Sequence, residues 1–466
     1  MAEIENDKTG NVSQSPEPSV SETAGPVINE KSLLRKIDAH LLPAVGILYL
    51  LSFLDRSNVG NARIEGLLND LNMSGDHYLI GLSLYFVGYV LFEVPCNIVL
   101  KRTSPRVWLP TLTIVWGIVA TLMGIVQNEP GFLAARFFLG VAESGLFPGV
   151  TYYFSMWYKR RERQYRVALF FSAASLAGAF GGILAYEGIA TVLIATAAYW
   201  FVHNYPDTSK FLNNEEREFV RLRLAADGDA THEEKFSWAA VQNALRDPKC
   251  WLYGLAFHTM SLPLYTLSLF LPTIITNLGY TAATAQLLTV PPYAFAFGTT
   301  VAVAVLSERL AKRAVFIAGS AVFAAIGYSI LLGNTNPVAR PGVSYVAVFF
   351  AAGGIYPATA LVLSWPTINV SGQTKRAIAT AMQISIGNVG AVLGTQLYRS
   401  HDGPRFIVGH SFALGYLLAN AIVVTILALI LKKENKRRES IAEEIKNVGE
   451  VPDWSGDVDP RWRFEY

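Results

Sequence analysis

The sequence predicts an all-α membrane protein, with twelve transmembrane helices arranged as two six-helix bundles. Three observations carry this. Only 16% of the 466 residues are charged and 52% are hydrophobic, with a mean hydropathy of +0.32, whereas a water-soluble domain is about one quarter charged. Apolar runs long enough to cross a bilayer recur along the whole chain. Lys and Arg gather in alternate connecting segments, and the remaining ones hold only Arg63, Arg340, Arg399 and Arg405. That asymmetry puts both termini on the cytoplasmic side.

The net charge of +2 gives no reason to expect a nucleic-acid partner. The two cysteines, Cys96 and Cys250, fall near predicted cytoplasmic helix ends. They suggest neither a disulfide nor a metal site, and no cofactor is expected.

Taken in order, residues 1–35 are polar, lack the apolar core of a secretory signal and read as a disordered cytoplasmic tail. The first bundle, 36–203, holds crossings near 41–62, 78–100, 107–127, 131–156, 166–186 and 187–203. The apolar run from 166 to 203 is nearly continuous. As one helix it would measure about 55 Å against a hydrocarbon core of about 30 Å. A single crossing there would also put the basic residues of the second half on the wrong side. A tight hairpin around Tyr186-Glu187-Gly188 resolves both conflicts and leaves the sixth crossing short.

The polar segment 204–249 is a cytoplasmic central loop. Within it Asn213–Arg221 reads as a capped surface helix, and Ser237-Trp238 starts another. The second bundle, 250–431, holds crossings near 251–276, 284–306, 314–333, 343–364, 377–398 and 410–431. Residues 432–466 form a cytoplasmic C-terminal tail. Stripes such as Ala174, Gly178, Gly182 and Gln383, Gly387, Gly390, Gly394 suit close helix packing. Pro291-Pro292 and Pro357 are placed to kink the eighth and tenth crossings. Asn72-Met73-Ser74 is a glycosylation candidate in the first outer loop, whereas the matching Asn11 and Asn369 sequences lie in predicted cytoplasmic segments.

The chemistry concentrates in a few intramembrane charges. Arg136 and Glu143 are seven residues apart, two helical turns, so they share a stripe about 10 Å apart, with Gly140 between them. Such charges face a cavity or a partner rather than lipid. A structural ion pair and a substrate or proton site are both open readings. Asp55 and Arg56 lie side by side in the first crossing and point about 100° apart, so they cannot serve one partner in the same direction. Arg56 shares a stripe with Tyr49 and Ser52, and snorkelling of Arg56 to the headgroups is the alternative.

Tyr78, Tyr85 and Tyr89 form one face of the second crossing, able to line a cavity and donate to a carboxylate, or to pack as an aromatic belt. Glu93 before Pro95 reads as structural, and His258 as packed. Asn388 and Gln383 offer amides either to a polar ligand or to a neighbouring helix. Arginine holds carboxylate bidentately and stays charged. A carboxyl group sheltered from water takes up a proton more readily than one in water. Two arginines and two acids in one half of a bundle therefore suit joint movement of a proton and an organic anion.

These residues resemble the major facilitator superfamily. Leu54-Asp55-Arg56-Ser57-Asn58-Val59-Gly60-Asn61-Ala62 resembles the first-helix motif of its anion:cation symporter branch. So does Arg136–Gly145 with Phe147-Pro148-Gly149 and Trp157-Tyr158. Pro206-Asp207-Thr208, Leu363-Ser364-Trp365-Pro366, Ser371–Arg376 and Asn388-Val389-Gly390 look like the fungal subgroup of allantoate, nicotinate and other vitamin permeases.

The resemblance implies proton-driven uptake of a small carboxylate across the plasma membrane by alternating access. The partners it implies are the anion, protons and the lipid bilayer, and the expected state is a monomer. It assigns proton coupling to Asp55 and Glu143, the substrate carboxylate to Arg56, and the acid or the anion to Arg136. Tyr85, Tyr89 and Asn388 join the expected substrate site. Glu308, Arg309 and Arg313 resemble a charged gating loop between the eighth and ninth helices. Relatives carry an outer loop and a tryptophan-rich start to the sixth helix that are absent here between Tyr186 and Glu187. Export of a neutral metabolite or toxin, or a non-transporting receptor or inactive paralogue, are the alternatives. An enzyme is not expected, because no nucleophile–base pair or metal cluster stands out.

Overall fold

A computed structural model describes residues 28–180, 187–226, 237–448, 457, 459–460 and 462–466. The first half of the chain builds α1 (Glu30–Ile64), a single turn α2 (Leu67–Asp70), α3 (Gly75–Arg102), α4 (Pro105–Met123), α5 (Glu129–Glu143), α6 (Leu146–Ser155), α7 (Arg160–Phe180) and α8 (Glu187–Phe201). Two surface helices follow, α9 (Asn214–Ala226) and α10 (Trp238–Arg246). The second half builds α11 (Pro248–Thr276), α12 (Ala282–Leu310), α13 (Arg313–Gly333), α14 (Pro341–Asn369), α15 (Gln373–Thr395) and α16 (Ile407–Val448).

Side-chain caps start many of these helices, as the sequence asks. Asn29 accepts from the Lys31 amide at 3.1 Å, Ser74 from His77 at 3.2 Å and Asn128 from Gly131 at 2.9 Å. Asn213 and Glu216 form a reciprocal capping box, each side chain bonding the other's backbone N–H, at 2.7 and 2.9 Å.

Among the described residues, ten helical runs are long and apolar enough to cross a membrane, the continuous stretch Glu129–Ser155 counting as one. α7, which opens on charged residues, and the short α8 occupy the fifth and sixth predicted crossings. Pro291, Pro292 and Pro357 lie within α12 and α14, which continue through them. The exterior is apolar: Leu91, Leu193, Val315 and Leu429 are each at least 60% exposed. Arg56, Arg136, Asp55 and Glu143 are buried. This inverts the pattern of a water-soluble protein and matches a lipid surround.

Three elements differ from expectation. α1 begins at Glu30, inside the segment read as disordered tail, because Glu30, Lys36 and Asp38 pair with Lys159, Glu216 and Arg166 at 2.9, 2.8 and 2.6 Å. Residues 1–27 lie outside the described residues. The fourth crossing is parted into α5 and α6 at Ser144-Gly145. α16 runs well past residue 431 to Val448. Of the predicted hairpin turn, Tyr186 lies outside the described residues and Glu187-Gly188 begin α8. At 15 residues α8 spans about 22 Å, the short sixth helix the sequence suggested.

One close crossing positions the site. A Cβ on Gly140 of α5 would stand 1.9 Å from the Tyr85 carbonyl oxygen of α3, and one on Gly88 would stand 2.4 Å from that of Phe137. The small residue is a condition of this approach. Gly140→Ala is expected to destabilise the purified protein by about 1–3 kcal/mol, read as a lowered thermal midpoint. An unchanged midpoint would mean the helices can part freely.

The two halves meet along α1 with α11, α3 with α15, and α7 with α12 and α14. Both ends of this seam carry bonds. At the end bearing the chain termini, Gln164 donates to Ser307 at 3.3 Å. At the opposite end Gln286 donates to Glu65 at 2.7 Å and Arg63 to Ser400 at 2.8 Å. Outside the apolar core, Asp247 caps α11. Burial pushes its carboxyl up, yet the neighbouring Lys249 and Lys375 outweigh this and hold it below the usual carboxylate range.

Candidate functional site

Helical spacing puts Ser52 and Arg56 on one stripe of α1, facing α3, α5 and α11. Three groups converge on a single oxygen of Glu143, its Oε2. Arg56 Nη2 donates at 2.9 Å, Ser52 Oγ at 2.8 Å and Tyr85 OH at 2.7 Å. The other end of the Arg56 fork reaches across the seam, Nη1 donating to Tyr265 OH of α11 at 2.8 Å. The Arg56 guanidinium carbon lies 5.1–5.8 Å from the rings of Tyr85, Tyr89, Tyr265 and Phe53, within cation–π range. Arg56 is 5% exposed and Glu143 fully buried. In such a place removing one partner costs about 3–5 kcal/mol, because the other charge stays buried.

Arg136 does not pair with Glu143. Tyr85 touches both: its hydroxyl donates to Glu143, and its ring centre lies 5.2 Å from the Arg136 guanidinium carbon. Arg136 is fully buried, and among the described residues none of its three guanidinium nitrogens has a hydrogen-bond partner. Glu143 Oε1 is likewise without one.

Asp55 points away from Arg56, as the 100° step requires. Its Oδ2 accepts from Thr191 of α8 at 3.2 Å, and no cation lies within ion-pair distance among the described residues. Arg56, Glu143 and Tyr85 are therefore brought together, Arg136 stands one ring away, and Asp55 sits apart within the first half.

Tyr89 and Asn388 line a cavity beside Arg56, with Tyr49, Tyr265, Phe171 and Phe257. In this conformation it has room for about one or two waters. Tyr78 serves packing instead, its hydroxyl donating to the Val59 carbonyl at 3.2 Å. Gln383 donates to the Val362 carbonyl at 2.8 Å as helix-to-helix glue. His258 is packed against the Ile386 carbonyl at 3.0 Å. Glu93 is fully buried and accepts from Ser385 across the seam at 3.2 Å.

The three gating-loop residues separate. Glu308 and Arg309 are exposed at the end of α12. Ala311 turns the chain with a left-handed φ of 50°, and Arg313 is buried in an ion pair with Glu465 of the C-terminal tail. Among the described residues, no three His, Cys, Asp or Glu side chains gather as a metal site, and Cys96 and Cys250 are free thiols.

Sequence reasoning missed the roles of Ser52 and Tyr265. Ser52 had a signal, its place on the Arg56 stripe. Tyr265 had none, since a tyrosine in an apolar helix is unremarkable until its neighbour is known. Tyr265→Phe removes one hydrogen bond from the buried Arg56 and should lower stability by about 1 kcal/mol, read as the thermal midpoint of the purified protein. An unaltered midpoint would mean that the bond adds nothing to holding Arg56 in place.

Residues 45–395 match the family model of the Major Facilitator Superfamily. The chain is 37% identical to the MFS-type transporter cnsO of Penicillium expansum, covering 94% of this chain and 90% of that one. It is 31% identical to the high-affinity nicotinic acid transporter of Saccharomyces cerevisiae, over 94% and 85%. Its fold resembles that of the proton:xylose symporter XylE, with a TM-score of 0.65 at 13% identity over 87% of this chain and 96% of that one.

Proposed function

The chain belongs to the major facilitator superfamily, and from that premise we propose that it is a proton-coupled symporter of a small organic anion, of the anion:cation symporter branch. In this reading twelve crossings form two six-helix bundles in the plasma membrane, with both termini cytoplasmic. The observation that carries the proposal is the buried pair of Arg56 and Glu143 at the seam between the halves, 2.9 Å apart.

Glu143 occupies the arginine that an incoming carboxylate needs. A carboxylate substrate therefore competes with it. Once Glu143 takes a proton, its hold on Arg56 weakens to that of a neutral group, and charge-assisted bonding passes to the substrate. Arg136, buried one ring away, is a second anchor for the same negative charge. Tyr85 and Ser52 release Glu143 Oε2 in the exchange and supply hydroxyl donors to the anion. Proton and anion thus enter the site together for an electrostatic reason: neither unpaired charge is stable there alone. Asp55, held off by Thr191, is a second proton site that does not compete for Arg56.

The rings of Tyr49, Tyr89, Tyr265 and Phe171 favour a flat, partly apolar body behind the carboxylate. That fits a pyridine carboxylate such as nicotinate, the acid carried by the yeast relative, ahead of a ringless polar anion such as allantoate. Closing and rocking of the halves then moves the site from one side to the other. The test is uptake of labelled monocarboxylates, each beside its uncharged amide, at acid and neutral external pH. One acid should accumulate at low pH, be lost with an uncoupler, and leave its amide behind. Equal movement of acid and amide, or outward transport alone, would favour export of a neutral metabolite.

A further inference from the structure

The C-terminal tail is built into the seam. Asn435 of α16 clamps the backbone of Phe464 on both sides, its amide donating to the carbonyl and accepting from the N–H, each at 2.8 Å. Asn369 of α14 does the same to Glu465, again at 2.8 Å each way. Trp365 adds a third bond to the Glu465 carbonyl at 2.8 Å. Phe464 is 2% exposed, and the Arg438 guanidinium carbon lies 4.4 Å from its ring centre. Arg313 pairs with the Glu465 carboxylate, and Lys375 with Asp457 at 2.6 Å. All these groups belong to the second half. Two asparagines that mimic a neighbouring strand, residue after residue, make this a seat for one extended peptide.

From the first half, two side chains at the start of α7 reach the same peptide. The Arg160 guanidinium carbon stands 3.8 Å from the Trp462 ring centre, and its Nη2 donates to the Arg463 carbonyl. Arg161 pairs with Glu465 at 3.3 Å while remaining 88% exposed. The attachment is lopsided: buried and many-bonded to the second half, peripheral to the first. Among the described residues, separating the halves at this end takes the Arg160 and Arg161 contacts from the peptide, together with the Gln164–Ser307 bond beside it, and leaves the peptide's bonds to the second half in place.

We propose that residues 462–466 are an intramolecular latch, seated on the second half by Asn369 and Asn435 and clasped by Arg160 and Arg161 of the first, that holds the terminus-bearing end shut. This goes beyond the cargo and rests only on the reading that this end opens. The contacts broken, one cation–π stack, one part-buried hydrogen bond and one exposed ion pair, slow opening about five- to tenfold. The clasp lets go during each cycle while the seat keeps the peptide at hand for reclosing.

The experiment reads opening, not flux. Thr380 lies with Asn97, Thr151 and Gln373 along the crevice between the halves at this end. In a Cys96→Ala, Cys250→Ala background, Thr380→Cys is labelled with a polar maleimide in the purified protein. Stopping the chain after residue 456, or replacing Phe464 by alanine in the full chain, should raise the labelling rate about five- to tenfold. The free five-residue peptide of positions 462–466 should bring it back, and the same peptide with alanine for its phenylalanine should not. Unchanged labelling in both variants, or a rise that the peptide does not reverse, would overturn the latch. Absence of anion transport would leave this result intact.

Discussion

Arg56→Ala should reduce anion uptake at least about a hundredfold at unchanged amounts of protein in the membrane. The magnitude follows from losing a charged hydrogen-bonding partner in a site closed to water, about 3 kcal/mol or more. Arg136 does not replace it, because it has no hydrogen bond to Glu143 and reaches this cluster only through the Tyr85 ring, 5.2 Å from its guanidinium carbon. The variant also leaves Glu143 without its cation, so a loss of folded protein would confuse the reading. Arg56→Lys separates the two. It keeps the charge beside Glu143 but loses the planar fork that reaches both Glu143 and Tyr265. Lysine is expected to restore folding and only a small part of the uptake. Full uptake with lysine would show that charge alone suffices, and full uptake with alanine would remove Arg56 from the substrate path.

Glu143→Gln is expected to uncouple. Glutamine is a neutral copy of the protonated acid, and it still accepts from Arg56, Ser52 and Tyr85. The arginine then has no competing charge at any pH. Anion should bind without a proton, exchange across the membrane should persist, and accumulation driven by external acidity should fall to the level of simple equilibration. Vesicles loaded with unlabelled anion give the exchange arm, and an imposed pH step gives the accumulation arm. Retained pH-driven accumulation would move the coupling proton from Glu143 to another acid, Asp55 first.

Much of this was legible because a bilayer leaves few options. Ten of the helical runs among the described residues are long and apolar enough to cross a membrane, since apolar runs of that length have no other way to satisfy their backbone in lipid. Arg56 and Glu143 were legible as a set for the same reason: charges inside the apolar layer must find one another or a cavity. Their pairing was not. A stripe on α5 says that Arg136 and Glu143 share a face, but not that Glu143 pairs with Arg56 of α1 while Arg136 meets the Tyr85 ring of α3. Tyr265 meets Arg56 from 209 residues away, and nothing local marks it.

The bonds of the C-terminal tail were not legible for a related reason. Its composition is that of a solvated segment, and its order comes from Asn369 and Asn435, whose role exists only once α14 and α16 are side by side. The start of α1 was misread because its ion partners, Lys159, Glu216 and Arg166, lie far along the chain. Local polarity looked like disorder where distant charges supply the order.

In the proposed symport the anion and Glu143 exchange places on Arg56, with a proton entering as the anion binds. The most direct measurement is proton uptake by the purified protein in weakly buffered solution near neutral pH, on adding the monocarboxylate that the uptake panel selects. The account predicts alkalinisation of about one proton per anion bound, absent in Glu143→Gln although that variant still binds. Anion binding to the unaltered protein with no proton taken up, or equal uptake by the glutamine variant, would contradict it.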